Sequence, residues 1–435
     1  MKRILVLLLC ALLAVSAFAG GAGETAETAT AADSGKTVLE VYWWGAAVRN
    51  DLTQEAINLY MELNPDVQIN AQFADWTGYW DKLSAMAAGG NMPDVVQMDY
   101  SYIEQYVAAG LLESFNPYIE SGAMDTSMIP QSIIESGAVD GECYAISLGT
   151  NTTAMFYNKT LTDSLGIEVP VNPTFDELYE IGEKVYEGTD GKVLTEFNFG
   201  GLQGAQMVAR DYGSNFFDEL AAGDSTSAEK YFALIERFNN ADFAVSPEQV
   251  AEVNLDDATQ RLVVKGTTWN DYMMANQYVF MAEAADAAGF ELGLCNYPHN
   301  ADATENSWFL KPSMFFSVAK DSDVKDEAVA FVDWFTNSKE ANEILLGERG
   351  VPVNTEISEL ITPLVSEDTG IYFAYVNEVA VDATPIDPPD PAGKGEVESY
   401  LNNTIEALRY GDYTAAEAAA LLTERSEQIL NNPAN

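Results

Sequence analysis

The sequence predicts a two-lobed α/β protein with a cleft between the lobes. Strand and helix signals alternate from Val38 to Gly110, an extended run around Asn151 is too long for one strand, and 435 residues exceed what one ordinary core supports.

Val38–Trp44 reads as a strand, and Leu52, Ala56, Leu59, Tyr60 and Leu63 recur at helical spacing until Asn64-Pro65 stops the helix. Val67, Ile69, Ala71 and Phe73 alternate with polar residues, as a half-buried strand requires. Trp80, Leu83 and Ala87 mark a helix ended by Gly89-Gly90. Asp94–Met98 is a short buried strand, and Ile103–Ala109 a helix ended by Gly110. This order implies a mostly parallel sheet, in which ligands sit beyond the carboxyl ends of the strands. The residues there are Trp43-Trp44-Gly45, Asp75-Trp76 and Asp99-Tyr100. Aromatic rings pack on the C–H faces of a sugar and carboxylates accept its hydroxyl protons, so this set suits a neutral polyol.

The stretch Asp140–Lys159 organises the rest. It opens on the hairpin signal Asp140-Gly141 and then favours extended structure, interrupted only by Gly149 and Asn151. It is expected to leave one sheet and enter another, with the polar residues Thr150, Asn151, Thr152 and Thr153 at the crossing.

Helices dominate beyond it. Thr174–Glu177, Ser246–Gln249 and Thr414–Glu417 each read as a capping box, and Tyr231, Ile235 and Phe238 mark a further helix. The glycine-rich Phe199–Gly204 lacks the lysine and spacing of a nucleotide loop and reads as a turn. Trp269 and Asn270 set an aromatic beside polar groups, and Leu292–Leu294 and Met314–Val318 are strands around Trp308. A helix at Ala328–Phe335 and the run Glu343–Leu346 precede Arg349, which stands two residues beyond Gly347 and beside Gly350 and could reach a ligand. Asp387–Pro391 reads as a rigid surface loop.

Composition excludes several functions. With 21 Lys+Arg against 68 Asp+Glu the net charge is -47, which repels nucleic acid and anionic membranes. Charged residues make up only 20% and hydrophobics 47%, which describes a folded protein with an acidic skin. Lys2-Arg3, the apolar run Ile4–Val15 and Ala17-Phe18-Ala19 form a signal peptide over residues 1–19, followed by a flexible leader at 20–36. Cys143 and Cys295 are expected as buried free thiols. No metal site is read: the one histidine is His299, and Lys325 breaks the calcium-loop pattern begun at Asp321 and Asp323. No catalytic set and no cofactor are read either.

Several short motifs, in order, resemble the extracellular solute-binding proteins of carbohydrate ABC transporters, the group of maltose-binding protein. They are Asn64–Ile69, Tyr79–Leu83, Pro93–Val95, Ala109–Glu113, Tyr157–Lys159 and Gly347–Pro352. The resemblance implies a type II periplasmic-binding-protein fold, a monomer, a carbohydrate ligand and delivery to transmembrane permease subunits from a periplasmic or extracellular position. It implies that Trp43 or Trp44 stacks on sugar and that Asn151 faces the cleft. Trp269 becomes a stacking candidate in an altered form of the family's motif, Lys265–Asn270. Three chain crossings, as in the family, assign 37–148 and 296–337 to the N-terminal lobe and 149–295 and 338–435 to the C-terminal lobe. Hinges then fall at Thr150–Thr152 and Cys295-Asn296. Two alternatives stay open: a secreted glycoside hydrolase using two of Asp75, Asp99 and Asp271, or a binding protein for a peptide or polyamine.

Overall fold

The computed structural model describes residues 35–197, 199–251 and 258–432. The signal peptide at 1–19 and all but the end of the leader at 20–36 lie outside the described residues.

The first layer forms as its periodicity dictates. Strands β1 (Thr37–Trp44), β2 (Val67–Ala74) and β3 (Val95–Met98) alternate with helices α1 (Ala47–Leu63), α2 (Trp76–Gly89) and α3 (Tyr100–Ala108). β1 lies between β2 and β3, parallel to both. Asp75 starts α2 by accepting the Gly78 amide at 2.9 Å, and Gly90, at φ 65°, ends it in the left-handed conformation. Asp99 starts α3 in the same way, accepting from the Ser101 amide at 2.9 Å.

The run from Ala138 then divides. β4 (Ala138–Val139) and β5 (Glu142–Cys143) form the hairpin, turning at Asp140 and Gly141, both with positive φ. β6 (Ile146–Ser147), β7 (Thr150–Asn151) and β8 (Thr153–Asn158) follow in three different sheets, in keeping with an extended run that is interrupted near Gly149 and Asn151 and leaves one sheet for another. Later strands are β9 (Asn270–Met274), β10 (Leu292–Cys295), β11 (Lys311–Pro312) and β12 (Phe315–Val318). The first sheet has the order β2-β1-β3-β12-β6, with β12 antiparallel to β3 and β6. The second is antiparallel, β10-β8-β9.

β7 is the crossing between them. It pairs with β11 on one side, while Thr150 bridges to Val351 on the other. The Thr150 amide donates to Val351 O at 2.8 Å and the Val351 amide to Thr150 O at 3.0 Å. The run breaks at Gly149 because the third segment passes so close: a Cβ there would sit 2.2 Å from the Arg349 carbonyl oxygen.

Packing differs from the expected partition at two places. Residues 296–310 lie with the second sheet and not the first. The Asn296 amide donates to Val171 O, Tyr297 Oη to Phe199 O, and Arg210 Nε to Ser307 O. The chain therefore returns through β11 rather than at Cys295-Asn296. Helix Lys339–Leu345 packs on α1 and on helix Lys325–Asn337, and the Thr355 amide donates to Met128 O. Residues 339–361 accordingly lie beside the first sheet. Cys143 and Cys295 are free and buried, as expected.

Gly149→Ala is expected to cost about 1–3 kcal/mol, the cost of forced overpacking, measured by urea unfolding against the parent. An unchanged midpoint and slope would show that the three segments are not in close contact at this point.

Candidate functional site

A cleft of about 1010 Å³ opens between the two sheets. Its floor is made by the crossing segments, through Asn151 of β7, Lys311 of β11 and Gly350. Arg49 of α1 and Asp99, Tyr100 and Ser101 at the start of α3 form one wall. The other comes from Gln203 and Gln206, from Tyr272–Met274 of β9, and from the loop Ile386–Asp390. A smaller cavity, about 480 Å³, lies behind that wall and shares Arg261 and Tyr272, but no residue of the first sheet contributes to it. Of the two, only the larger cleft takes groups from the helices beside the first sheet, Arg49 of α1 and Asp99–Ser101 at the start of α3, as well as from the second sheet, which makes it the candidate site.

Its ionic groups are tied down by one another. Arg49 Nε reaches both Glu348 oxygens, at 3.0 and 2.9 Å. Arg349 lies beneath this pair, buried, with Nη1 at 3.6 Å from Glu348 and Nη2 donating to Thr53 Oγ1 at 2.8 Å. Burial pulls its guanidinium down to about 9; the Arg49 charge adds to this and Glu348 opposes it. It stays cationic at neutral pH. On the far wall Arg261 grips Asp271 through two hydrogen bonds, the geometry in which an arginine–carboxylate pair is strongest.

The loop Ile386–Asp390 is a wall of the cleft, where the sequence reads only a surface loop. Arg210 holds it from behind, donating to Asp387 Oδ1, Thr384 Oγ1 and Pro385 O while its guanidinium stacks on Phe309. From the first wall Tyr100 Oη donates to Asp387 O at 2.9 Å. Burial, and then Asp387, raise the Tyr100 phenol to about 12, so it stays a proton donor.

Of the expected site residues, four border the cleft: Asp99, Tyr100, Asn151 and Arg349. Asn151 presents its amide with the oxygen engaged by the Thr152 and Asn276 amides, at 2.9 and 3.1 Å. Arg349 directs its guanidinium inward, away from any guest. The other eight lie elsewhere. Trp43 is fully buried and donates to Asn50 Oδ1, and Trp44 is enclosed by Trp76, Tyr79 and Trp80 at centroid distances of 5.0–5.6 Å. Trp76 is half exposed at the start of α2, and Asp75 is that helix's cap. Thr152 is buried and donates to Phe309 O. Trp269, also fully buried, donates to Thr195 Oγ1 at 2.9 Å, and Asn270 exchanges hydrogen bonds with the Glu196 backbone. Trp308 donates to Asp382 at 2.9 Å. The stacking expectation for these tryptophans is therefore corrected: the rings that line the cleft are Tyr100, Tyr272, Phe309 and Tyr372. Lys311, Arg49 and Tyr372 escaped the sequence reading. The adjacency of Lys311 to Pro312 was a signal for an edge strand that it did not use.

The sequence pattern of the family described as bacterial extracellular solute-binding protein matches residues 45–342. The chain belongs to this family. The solute-binding protein is 26% identical over 415 residues to the maltotriose-binding protein of Pyrococcus abyssi, covering 92% of this chain and 83% of that one. It is 23% identical over 327 residues to the galactooligosaccharide-binding protein of Bacillus subtilis, covering 71% and 72%. Among solved structures, an extracellular solute-binding protein of family 1 from Alicyclobacillus acidocaldarius superimposes with a TM-score of 0.83. That match has 25% identity and covers 91% of this chain and 99% of the other. The fold is thus the type II periplasmic solute-binding fold, and among the described residues no helix is long and apolar enough to cross a membrane.

Trp269→Phe should lower stability by about 1–3 kcal/mol, through a lost buried hydrogen bond and a small void, while leaving ligand affinity as it is. Thermal unfolding and calorimetric titration read the two quantities separately. A loss of affinity of about tenfold or more would restore Trp269 to the site.

Proposed function

We propose that this solute-binding protein captures a mono- or oligosaccharide in the cleft and delivers it to the transmembrane permease of an ABC importer, outside the cytoplasmic membrane and as a monomer. One lobe comprises residues 37–149 and 313–361, the other the described residues 153–197, 199–251, 258–310 and 367–432. They close by hinge motion at the crossing segments. The observation that carries this reading is the cleft itself: tyrosine and phenylalanine faces beside amide, hydroxyl and charged groups, drawn from both walls, in a chain whose relatives bear oligosaccharide-binding names. Flat rings take up the C–H faces of a sugar, and donors such as Asn151 Nδ2 engage its oxygens.

No chemical step is part of the mechanism. The cleft carboxylates have other duties: Glu348 pairs with Arg49, Asp387 with Arg210, and Asp99 caps α3. A hydrolase instead needs one carboxylic acid free to protonate a leaving oxygen and a second to attack or activate water. This supports binding over hydrolysis. Ligand shifts the lobes toward closure only in so far as it binds the closed state better than the open one.

A melting-temperature screen against mono- to tetrasaccharides tests the proposal. A sugar at about 100 times its Kd stabilises the folded state by about 2.7 kcal/mol, a clear upward shift. Peptides and polyamines are run beside it, and a response confined to them would replace the carbohydrate reading.

A further inference from the structure

We propose that the guest of this cleft carries a negative charge, a uronic-acid carboxylate being the simplest case, and that Lys311 and Asn151 bind it. This rests on the carbohydrate reading above and narrows it.

β7 and β11 run antiparallel with Lys311 directly opposite Asn151, and both residues line the cleft. Side chains so paired share one face of the ladder, their Cβ atoms about 5 Å apart. Asn151 Oδ1 accepts from two backbone amides and lies 3.4 Å from the Tyr372 hydroxyl. Only the oxygen of a carboxamide accepts, so these bonds fix the flip and leave Nδ2 as the group offered to a guest. Lys311 is exposed, and neither its ammonium nor Asn151 Nδ2 has a partner among the described residues.

Of the other charges of the cleft, Asp99 is engaged by the Ser101 amide at the start of α3 with no cation beside it among the described residues, and the rest are matched. Arg49 and Arg349 share Glu348, and Arg261 holds Asp271. Asp387 is held by Arg210, while Asp390 lies 3.2 Å from Gln206 and 3.7 Å from Lys394. Lys311 is thus a cation of the cleft with no carboxylate of its own. Beside it stand two further donor hydrogens from Asn151.

Such a spot discriminates between guests. A hydroxyl has a proton to give as well as lone pairs to offer, and a spot made only of donors leaves that proton unmet. A carboxylate only accepts, and its bonds to an ammonium are charge-assisted. The chain's own acidity sharpens the point. A net charge of -47 turns anions away from most of the surface, so an anionic guest needs a local cation, screened from the distant acids by salt. Lys311 supplies it at the floor of the cleft.

The test is calorimetric titration of the intact secreted protein. The probes are mono- to tetrasaccharides of glucuronic, galacturonic, mannuronic and guluronic acid, each beside its methyl ester and its neutral parent sugar. A free acid is expected to bind about tenfold or more tighter than its ester. Lys311→Met should erase that difference, and Lys311→Arg should keep most of it. The methionine variant should melt where the parent does; Lys311→Gln takes its place if it does not fold. A neutral parent that binds as well as its acid, or an acid whose affinity ignores the loss of the ammonium, overturns the inference and leaves the carbohydrate reading standing. No binding in any of the three series overturns both.

Discussion

The narrow waist where three segments of chain run side by side is the constraint on which the molecule depends. A segment that leaves one sheet for another must still satisfy its backbone donors and acceptors, because orphaned buried groups are costly. Here the segments satisfy each other. Thr150 and Val351 exchange hydrogen bonds, the Ser313 amide donates to Gly149 O at 2.9 Å, and the Leu148 amide to Met314 O at 2.8 Å. Glycine at 149 and 350 allows the approach: a Cβ on Gly350 would lie 2.9 Å from Thr150 O, at a φ of 104° that other residues avoid. Two phenols complete the fastening. Tyr375 Oη lies within hydrogen-bonding reach of Thr153 O, Cys295 O and Asn296 Oδ1, and Tyr372 Oη donates to Thr150 O. The backbone of Asn151 and Lys311 therefore stands on a well-anchored part of the cleft, and the Asn151 amide is held as well, by the Thr152 and Asn276 amides.

The charge pattern follows from the same economy of space. Most of the acids can sit in solvent, where salt screens them. The arginines near the cleft are drawn out of solvent, and Arg49, Arg210 and Arg261 are placed where their donors find oxygens in a fixed arrangement. Arg210 joins a side-chain carboxylate to three further oxygens and so fastens the proline-rich loop to the helix behind it. Arg349 is the costly member, because Nε and Nη1 find no hydrogen bond while burial strips its water. Buried ions of this kind are poor evidence for stability. Their effect is positional: Arg349 Nη2 on Thr53, with Gln97 in turn donating to Trp44 O, registers the third crossing segment against α1, β1 and β3.

Much of the fold was legible in the sequence because its signals are local. The glycine stops after α2 and α3 and the reciprocal boxes at Thr174 and Thr414 depend on near neighbours only, and all are present, while the alternation in β2 holds at Ile69 but leaves Phe73 exposed at the strand's end. The site was half legible. The strand-end rule brought Asp99 and Tyr100 to the cleft, yet the same rule placed Trp44 there, and its ring turns sideways into Trp80 of α2. A strand end specifies a neighbourhood and leaves the direction of the ring open. Trp269 misled for another reason. Its polar neighbours Thr268 and Asn270 resemble a binding patch, but they satisfy backbone groups: Thr268 Oγ1 donates to Asn270 O, and Asn270 to Glu196 O. The return at β11 was missed because 296–310 is irregular and is held by distant partners such as Val171 and Asp211.

The waist and the rim differ in what they cost to open. At the waist the two sheets share backbone pairing across three segments, so rotation there must preserve the bonds and use the torsions of the linking residues. At the rim the walls meet through the Tyr100 hydroxyl on the Asp387 carbonyl, a neutral hydrogen bond whose net contribution is about 0.5–1.5 kcal/mol. Separating that contact changes the balance of states by about tenfold at most, within reach of the differential affinity of a modest guest. The phenol is also well chosen for repeated breaking. Held un-ionised by burial, it exchanges one acceptor for water without leaving a stranded charge on either wall. A carboxylate or guanidinium in its place would make closure depend on salt and on a partner ion across the gap. Among the described residues the rims thus meet at a neutral hydrogen bond, while the ionic pairs named above lie within their own walls.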